Sequence, residues 1–359
     1  MTGPGRPPLD EPAAVRSGEE VDANALRAWL AAHGVATAGP LHVTQFPRGF
    51  SNLTYLVRAD EGEWVLRRPP FGVGPGSAHD VLREARLLAL LAPVYAFAPK
   101  VRVICEDPTI IGAPFYLMER VRGIILRDRA PAGVDLTPDL LQRLSTRFVD
   151  VLADLHLLDV AQMGPAGIGR PDGYVHRQVE GWTRRYRAAQ THDHEGVDAA
   201  ASWLATRIPE AVVPALVHND FKYDNLVLDP ADPSRILAVL DWEMATVGDP
   251  WLDLGTSLAY WVNADDPAEL RALGLGITAL PGNLTRAQLV DRYVQRTGRT
   301  PHDILFGYVF GLFKVAVIAQ QIYARYVRGH TRDARFAQLH VAVAALGRAA
   351  ERAIGTGAL

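Results

Sequence analysis

Strand signals crowd into the first third of this 359-residue chain, and helical signals fill almost everything after it. That segregation constrains the fold most, because consecutive short strands must pair with one another while long amphipathic helices pack separately. Residues Val21 to Gly34 have helical spacing. LHVTQF and TYLVRAD read as strands on either side of Arg48-Gly49-Phe50-Ser51-Asn52, and EWVLRRPP supplies a third, stopped by Pro69 and Pro70. Three strands in succession predict an antiparallel meander. A helix is expected from Asp80 to Ala92, with Asp80 near its N-terminus, and VRVICEDPTIIGAPFYLMERV predicts two further strands around a turn at Glu106 to Pro108. From Thr137 the pattern turns helical. LVLD and ILAVLD, parted by PADPSR, are the only later strand signals. The expected fold class is α+β: a flexible tail over 1–20, a small antiparallel β-sheet domain over 21–121 and a large helical domain over 122–359. Two domains suit the length, since ~100–200 residues is usual for one.

Hydrophobic residues make up 48% and charged residues 21%, which excludes wholesale disorder. A net charge of −3 offers no general attraction to nucleic acid or to an anionic membrane, so neither is an expected partner. Cys105 is the sole cysteine, which rules out an intrachain disulfide and a Cys-rich metal site and makes a reducing cytoplasm the expected compartment. The start, MTGPGRPPLDEP, lacks the pattern of a secretory signal. Leu305 to Ala324 is long and apolar, but Lys314 stands at its centre, so a buried helix is expected rather than a membrane span. Lys314 is one of only three lysines, with Lys100 and Lys222, among 37 basic residues.

The chemistry concentrates in His218-Asn219-Asp220-Phe221-Lys222-Tyr223-Asp224-Asn225, followed by the hairpin that ends at Asp241-Trp242-Glu243. A hydroxyl nucleophile needs a carboxylate within hydrogen-bond reach, and Asp220 supplies one. Asn225, five residues on, can turn an amide oxygen toward magnesium, and Asp241 adds a charged ligand at the end of a strand. Mg²⁺ takes oxygen donors and few of them from protein, so one Asn, one Asp and nucleotide phosphates form a sufficient shell. The alternative is that Asp220 and Asn225 are turn and cap residues.

With GFSNLTYLV, WVLRRPP, FYLMERVRG, HNDFKYDNLV and LDWEMATVGDPWLDLG, the chain resembles the aminoglycoside phosphotransferase-type members of the protein kinase-like superfamily, in the branch associated with acyl-CoA dehydrogenases. The resemblance covers nearly everything after the tail and implies a two-lobed kinase-like fold that uses ATP and Mg²⁺. By it, Asp220 is the catalytic base, Asn225 and Asp241 bind magnesium, and Lys222 places a cation near the transferred phosphate; a solvated surface lysine is the alternative for Lys222. The turn carrying Phe50, Ser51 and Asn52 would cover the phosphates, although it holds a single glycine. Arg67 aligns with the strand lysine that pairs with phosphates, and Glu84 is its ion-pair partner. The swap of lysine for arginine alters the geometry, because arginine contacts phosphate as a planar fork. An exposed strand end is the alternative for Arg67 and Arg68, the more so for Arg68. Backbone groups of Glu119 and Val121 would read the adenine edge. Asp253 is expected to be structural, and His156 to be a satisfied core histidine. GVGPGS fails the dinucleotide fingerprint, and the absence of any Gly-Lys pair excludes a Walker A loop.

Only seven residues separate Asp241 from Asp249, and no Ala-Pro-Glu triplet follows, so a small molecule is expected as acceptor rather than a protein. Arg177, Arg184, Arg185 and Arg187, with Arg325, Arg328, Arg332 and Arg335, favour an anionic acceptor if they line its cleft. A solvated helix face is the alternative. The expected function is phosphoryl transfer from ATP to the hydroxyl of a small, anionic, hydroxyacyl-type molecule. Aminoglycoside, choline or sugar kinase activity is the alternative within that chemistry, and a regulatory nucleotide-binding pseudokinase is the alternative outside it. A homodimer is the expected assembly.

Overall fold

The structure, a computed structural model, describes residues 11–35, 39–47, 52–71, 80–163, 168–209, 213–300, 304–331 and 333–359. Two compact units emerge, one from residues 1–125 with 226–243 and the other from 126–225 with 244–359. The elements of the first stretch are α1 (Ala23–Ala32), β1 (His42–Gln45), β2 (Leu53–Ala59), β3 (Gly62–Arg68), α2 (Val81–Leu91), β4 (Val101–Cys105) and β5 (Phe115–Glu119). All five strands pair antiparallel in the order β1-β2-β3-β5-β4, so the first three form the expected meander. Alternation sends Tyr55, Val57, Leu66, Phe115 and Leu117 to one face, where Leu26 and Leu30 of α1 complete the core. Asp80 caps α2 by accepting from the Arg83 N–H at 3.0 Å.

Part of the expected tail is tied to this sheet. Ala13 exchanges two backbone hydrogen bonds with Gln45, the Arg16 N–H donates to the Gln45 side chain at 2.9 Å, and the Tyr55 hydroxyl donates to the Glu19 carbonyl at 2.7 Å. An unpaired β1 edge offers such partners to any chain that can reach it.

The remaining elements are α3 (Pro138–His156), α4 (Tyr174–Ala189), α5 (Glu195–Ala205), β6 (Ala215–Val217), β7 (Leu226–Leu228), β8 (Ile236–Val239), β9 (Thr246–Gly248), α6 (Pro250–Tyr260), α7 (Ala268–Arg271), α8 (Arg286–Thr297), α9 (Ile304–Val327) and α10 (Leu339–Thr356). The β7–β8 hairpin clusters with the first unit, where Leu228 exchanges backbone hydrogen bonds with Ile124 and the Val239 N–H donates to Phe97. Sequence order alone does not reveal that assignment. In the second unit, β6 and β9 pair antiparallel, Val217 facing Thr246. Helix α9 is long and apolar enough to cross a membrane, yet 78% of its apolar window is buried inside the protein. It lies close against α6, because a Cβ at Gly255, Gly307 or Gly311 would collide with the backbone of the facing helix.

Candidate active site

In the second unit, the segment after β6 is built around one buried carboxylate. Asp249 caps α6 by accepting from the Trp251 N–H at 2.8 Å, and Asp253, one turn on, faces the loop. The two Asp253 carboxylate oxygens accept successive backbone N–H groups, from His218 at 2.6 Å and Asn219 at 2.7 Å. His156 Nε2 lies 3.0 Å from the same carboxylate, and its Nδ1 lies 2.8 Å from the Tyr293 hydroxyl. Burial alone would raise the Asp253 pKa, but His156 and the His218 N–H hold it below the ordinary value. Asp253 is therefore ionised, which assigns the Nε2 proton to His156 and makes it a satisfied core residue.

Asn219 takes a left-handed backbone, φ 67°, which asparagine tolerates better than most residues. It is held on every side. The Tyr174 hydroxyl donates to its Oδ1 at 3.0 Å, its Nδ2 donates to the Met244 carbonyl at 3.0 Å, and Lys314 Nζ donates to its carbonyl at 2.5 Å. The chain beyond alternates: Phe221 and Tyr223 are buried against Phe148 and Trp261, while Asp220 and Lys222 keep partial exposure. Lys222 Nζ donates to both Asp220 oxygens, at 2.9 and 2.8 Å, and lies over the Tyr260 ring. Burial works against the Lys222 charge, but Tyr260 and Asp220 outweigh it and raise its pKa. This lysine is not a solvated surface residue. Asn225 Nδ2 donates to the Asp220 carbonyl at 2.8 Å and to its carboxylate at 2.9 Å. Both partners are pure acceptors, so the Asn225 amide nitrogen faces Asp220 and its oxygen faces elsewhere.

In the first unit, a guanidinium gathers three carboxylates. Arg67 is buried on β3 and meets Glu84 at 2.6 Å, Asp241 at 3.4 Å and Glu243 at 3.6 Å. The expected Arg67–Glu84 pair is present. Burial opposes the charge of Arg67, and Glu84 foremost, with Asp241 and Glu243, overcomes it and raises the arginine's pKa. Glu84 Oε1 also accepts the Trp242 N–H at 3.1 Å, fixing the turn after β8. Asp241 itself has φ 68° and a partly exposed side chain. Asn52 Nδ2 donates to Glu243 at 3.0 Å, and Asn52 Oδ1 and Arg67 Nε are buried with no hydrogen-bond partner among the described residues. Phe50 and Ser51 lie outside the described residues.

Arg68 does not stand at an exposed strand end. It is 1% exposed, donates to the Ile111 carbonyl at 2.8 Å, and stacks on Phe71. Its neighbour on the strand points to the opposite face, so two adjacent arginines enter two different surroundings. At the end of β5 the Glu119 N–H donates to the Lys100 carbonyl at 2.9 Å, and the Glu119 carboxylate accepts the Lys100 N–H, so its own N–H is not available to a base. Val121 follows two residues later, half-buried. On α4, Arg184, Arg185 and Arg187 are exposed and have no acidic partner among the described residues. Arg177, in contrast, donates to the Asp172 and Arg170 carbonyls, Arg328 donates to the Ala188 carbonyl, and Arg335 pairs with Asp333. Arg332 lies outside the described residues.

Residues 42–288 match the family model of the phosphotransferase enzyme family, APH. The chain belongs to that family. A crystal structure from Ralstonia eutropha, provisionally described as an aminoglycoside phosphotransferase, is 32% identical with a TM-score of 0.77, covering 93% of this chain and 99% of that one. A thermostable mutant of aminoglycoside phosphotransferase APH(4)-Ia, in ternary complex with AMP-PNP and hygromycin B, shares the fold at 20% identity and a TM-score of 0.56, over 90% of this chain and 99% of that one. Acyl-CoA dehydrogenase family member 10 of Mus musculus is 36% identical over 303 residues, 84% of this chain and 28% of that protein. Across seven curated relatives that it matches, the chain spans 28% to 40% of their length. The resemblance in the motifs is thereby supported at the level of family and fold.

Sequence reasoning missed two residues of this phosphotransferase, one in each unit. Glu243 reaches Arg67 and Asn52, and its signal was its place two residues after Asp241 on the same turn. Lys314 reaches Asn219, and its signal was a charge amid an apolar helix. The Asp253 fork carries a stability prediction. Asp253→Asn leaves one N–H facing an amide NH₂ and should destabilise the fold by about 1–3 kcal/mol at pH 7, the usual effect of leaving a buried donor unsatisfied. The native pKa is depressed, so this stabilisation is present above the ordinary aspartate value of about 3.9 and is lost as pH falls through the native value. Urea denaturation against pH should show a flatter acid limb in the variant; parallel profiles would contradict the ionised fork.

Proposed function

We propose that this phosphotransferase moves the γ-phosphoryl group of ATP, with Mg²⁺, to the hydroxyl of a small anionic acceptor of hydroxyacyl type. The observation that carries the reading is Asp220, a carboxylate partly open to solvent, gripped by Lys222 and Asn225 on a loop that Asp253 holds by two backbone N–H groups. Asp220 accepts the acceptor's hydroxyl proton while the oxygen bonds to phosphorus and the bond to the ADP oxygen breaks. Lys222, already protonated beside Asp220, supplies positive charge that the transferred phosphoryl group can draw on.

The donor set fits magnesium. Asn225 turns its amide oxygen away from Asp220, and Asp241 keeps a partly exposed carboxylate beside Arg67. Magnesium would bind through Asn225 and Asp241 and neutralise phosphate charge. Arg67 Nε, a buried donor without a partner, is available to phosphate, and the Glu119 carbonyl with Val121 would meet the adenine edge. The APH(4)-Ia complex with AMP-PNP supports a nucleotide donor. The unpaired arginines of α4 and the acyl-CoA dehydrogenase names of the relatives support an anionic acyl acceptor.

The test is ADP release from ATP and magnesium in the presence of hydroxyacyl thioesters, aminoglycosides, choline and sugars in parallel. Turnover with the hydroxyacyl class alone is expected; turnover with aminoglycosides alone would replace the acceptor. The Arg67–Glu84 pair gives a second check. Arg67→Ala alone strands the buried Glu84 carboxylate and should lose about 3–5 kcal/mol of stability, Glu84→Ala should lose less because Asp241 and Glu243 still face Arg67, and the double variant should lose clearly less than the sum. Additive losses in urea denaturation would reject the coupling. Arg67→Lys should keep charge yet weaken ATP binding if the planar fork matters.

A further inference from the structure

We infer that Lys314 is a positioning residue for the proposed phosphoryl transfer: from the middle of α9 it clamps the Asn219 carbonyl and so fixes the left-handed turn that aims Asp220. The inference rests on that reading of Asp220 as the proton acceptor. Lys314 is 2% exposed, on a helix whose other buried residues are mostly apolar or small. A methionine or leucine would pack there without the penalty of burying a charge. No carboxylate lies within ion-pair distance of its ammonium among the described residues; its hydrogen bond goes to a neutral carbonyl, at 2.5 Å, and it lies over the Trp182 ring, 5.6 Å from its centroid.

The clamped peptide is the one that leads into Asp220. Its carbonyl, from Asn219, accepts from Lys314 at 2.5 Å, and its N–H, from Asp220, donates to His218 Nδ1 at 3.3 Å. Both ends of one peptide plane are therefore held, directly after a residue at φ 67°. A left-handed asparagine is a less favoured state that persists only when its surroundings over-determine it. Asp253, Tyr174 and Met244 hold the rest of Asn219, but none of them touches this carbonyl. The close approach of α9 to α6 at Gly307, Gly311 and Gly255 brings Lys314, three residues after Gly311, near enough to reach the loop. The charged groups that face it are Asp220 and Lys222 on the loop, Asp253 on α6 and Arg185 on α4. Burial first of all, against the pull of Asp220 and Asp253, pushes its pKa down to about 8 from the ordinary 10.5. A protonated Lys314 therefore costs stability below pH 8, and that penalty fades as pH rises toward 10.5.

A positioning role and a merely structural one thus differ in sign. Lys314→Met should fold, with a Tm at pH 7 equal to or above that of wild type. Hydrogen exchange of the Asn219 and Asp220 amides should speed up by about tenfold or more. Its kcat should fall by up to about 10²-fold with nucleotide KM nearly unchanged, since a small misplacement of a reacting group has that effect. Lys314→Arg, which keeps a charged donor, should recover part of the kcat and of the exchange protection. Unchanged exchange and kcat in Lys314→Met would overturn the proposal, and so would a lowered Tm, which would make Lys314 a structural residue. If wild type transfers phosphate to no acceptor, the functional reading fails, and the exchange measurement still decides the clamp.

Discussion

Asp220→Asn should lower kcat by about 10²–10⁴ while nucleotide affinity stays within a few-fold, the usual worth of a positioned proton acceptor. The structure makes this a clean substitution. The asparagine oxygen can still accept from Asn225, and the Asp220 backbone contacts are untouched, so the loop keeps its shape. What disappears is the charge that Lys222 grips with both contacts and the oxygen that takes the proton. Single-turnover kinetics with calorimetric ATP binding separates the two effects. Turnover close to wild type would remove Asp220 from the chemistry.

Asp241→Asn should abolish the magnesium dependence of ATP binding in calorimetry. Asparagine is the informative replacement, because position 241 has φ 68° and alanine there would add backbone strain to the loss of a ligand. The substitution also removes one of three carboxylates from Arg67, while Glu84, the nearest at 2.6 Å, remains to hold it. Fold stability should therefore change little and metal-linked nucleotide affinity greatly. Magnesium dependence equal to wild type, in a folded variant, would show that Asp241 only ends a hairpin.

Much of this was legible in the chain because local rules agreed with the fold. The apolar runs Tyr55-Leu56-Val57 and Val65-Leu66, the second stopped by Pro69 and Pro70, mark β2 and β3, and Asp80 before an apolar helical run marks α2 and its cap. The Arg67–Glu84 pair was readable too, through the resemblance that aligns Arg67 with the phosphate-pairing strand lysine and Glu84 with its helix partner. Other features left no local trace. β6 and β9 are three residues each, too short to show alternation, and they form only because the intervening chain returns Thr246 to Val217. Arg68 looks like its neighbour in sequence, and only the chain covering its face buries it. The resemblance implied that Asp253 is structural and anchors the catalytic loop by hydrogen bonds, but the backbone N–H groups of His218 and Asn219 carry no sequence signature, so which groups it holds was not legible.

The most direct test uses ATP labelled in its γ-phosphoryl oxygens, magnesium and the hydroxyacyl acceptor, with the product read by mass spectrometry in wild type and Asp220→Asn. The account predicts label in a phosphate ester on the acceptor hydroxyl from wild type, and its near-absence from Asp220→Asn despite normal ATP binding. Tight ATP binding with no labelled ester on any hydroxylated molecule would contradict it and leave a nucleotide-binding pseudokinase in its place.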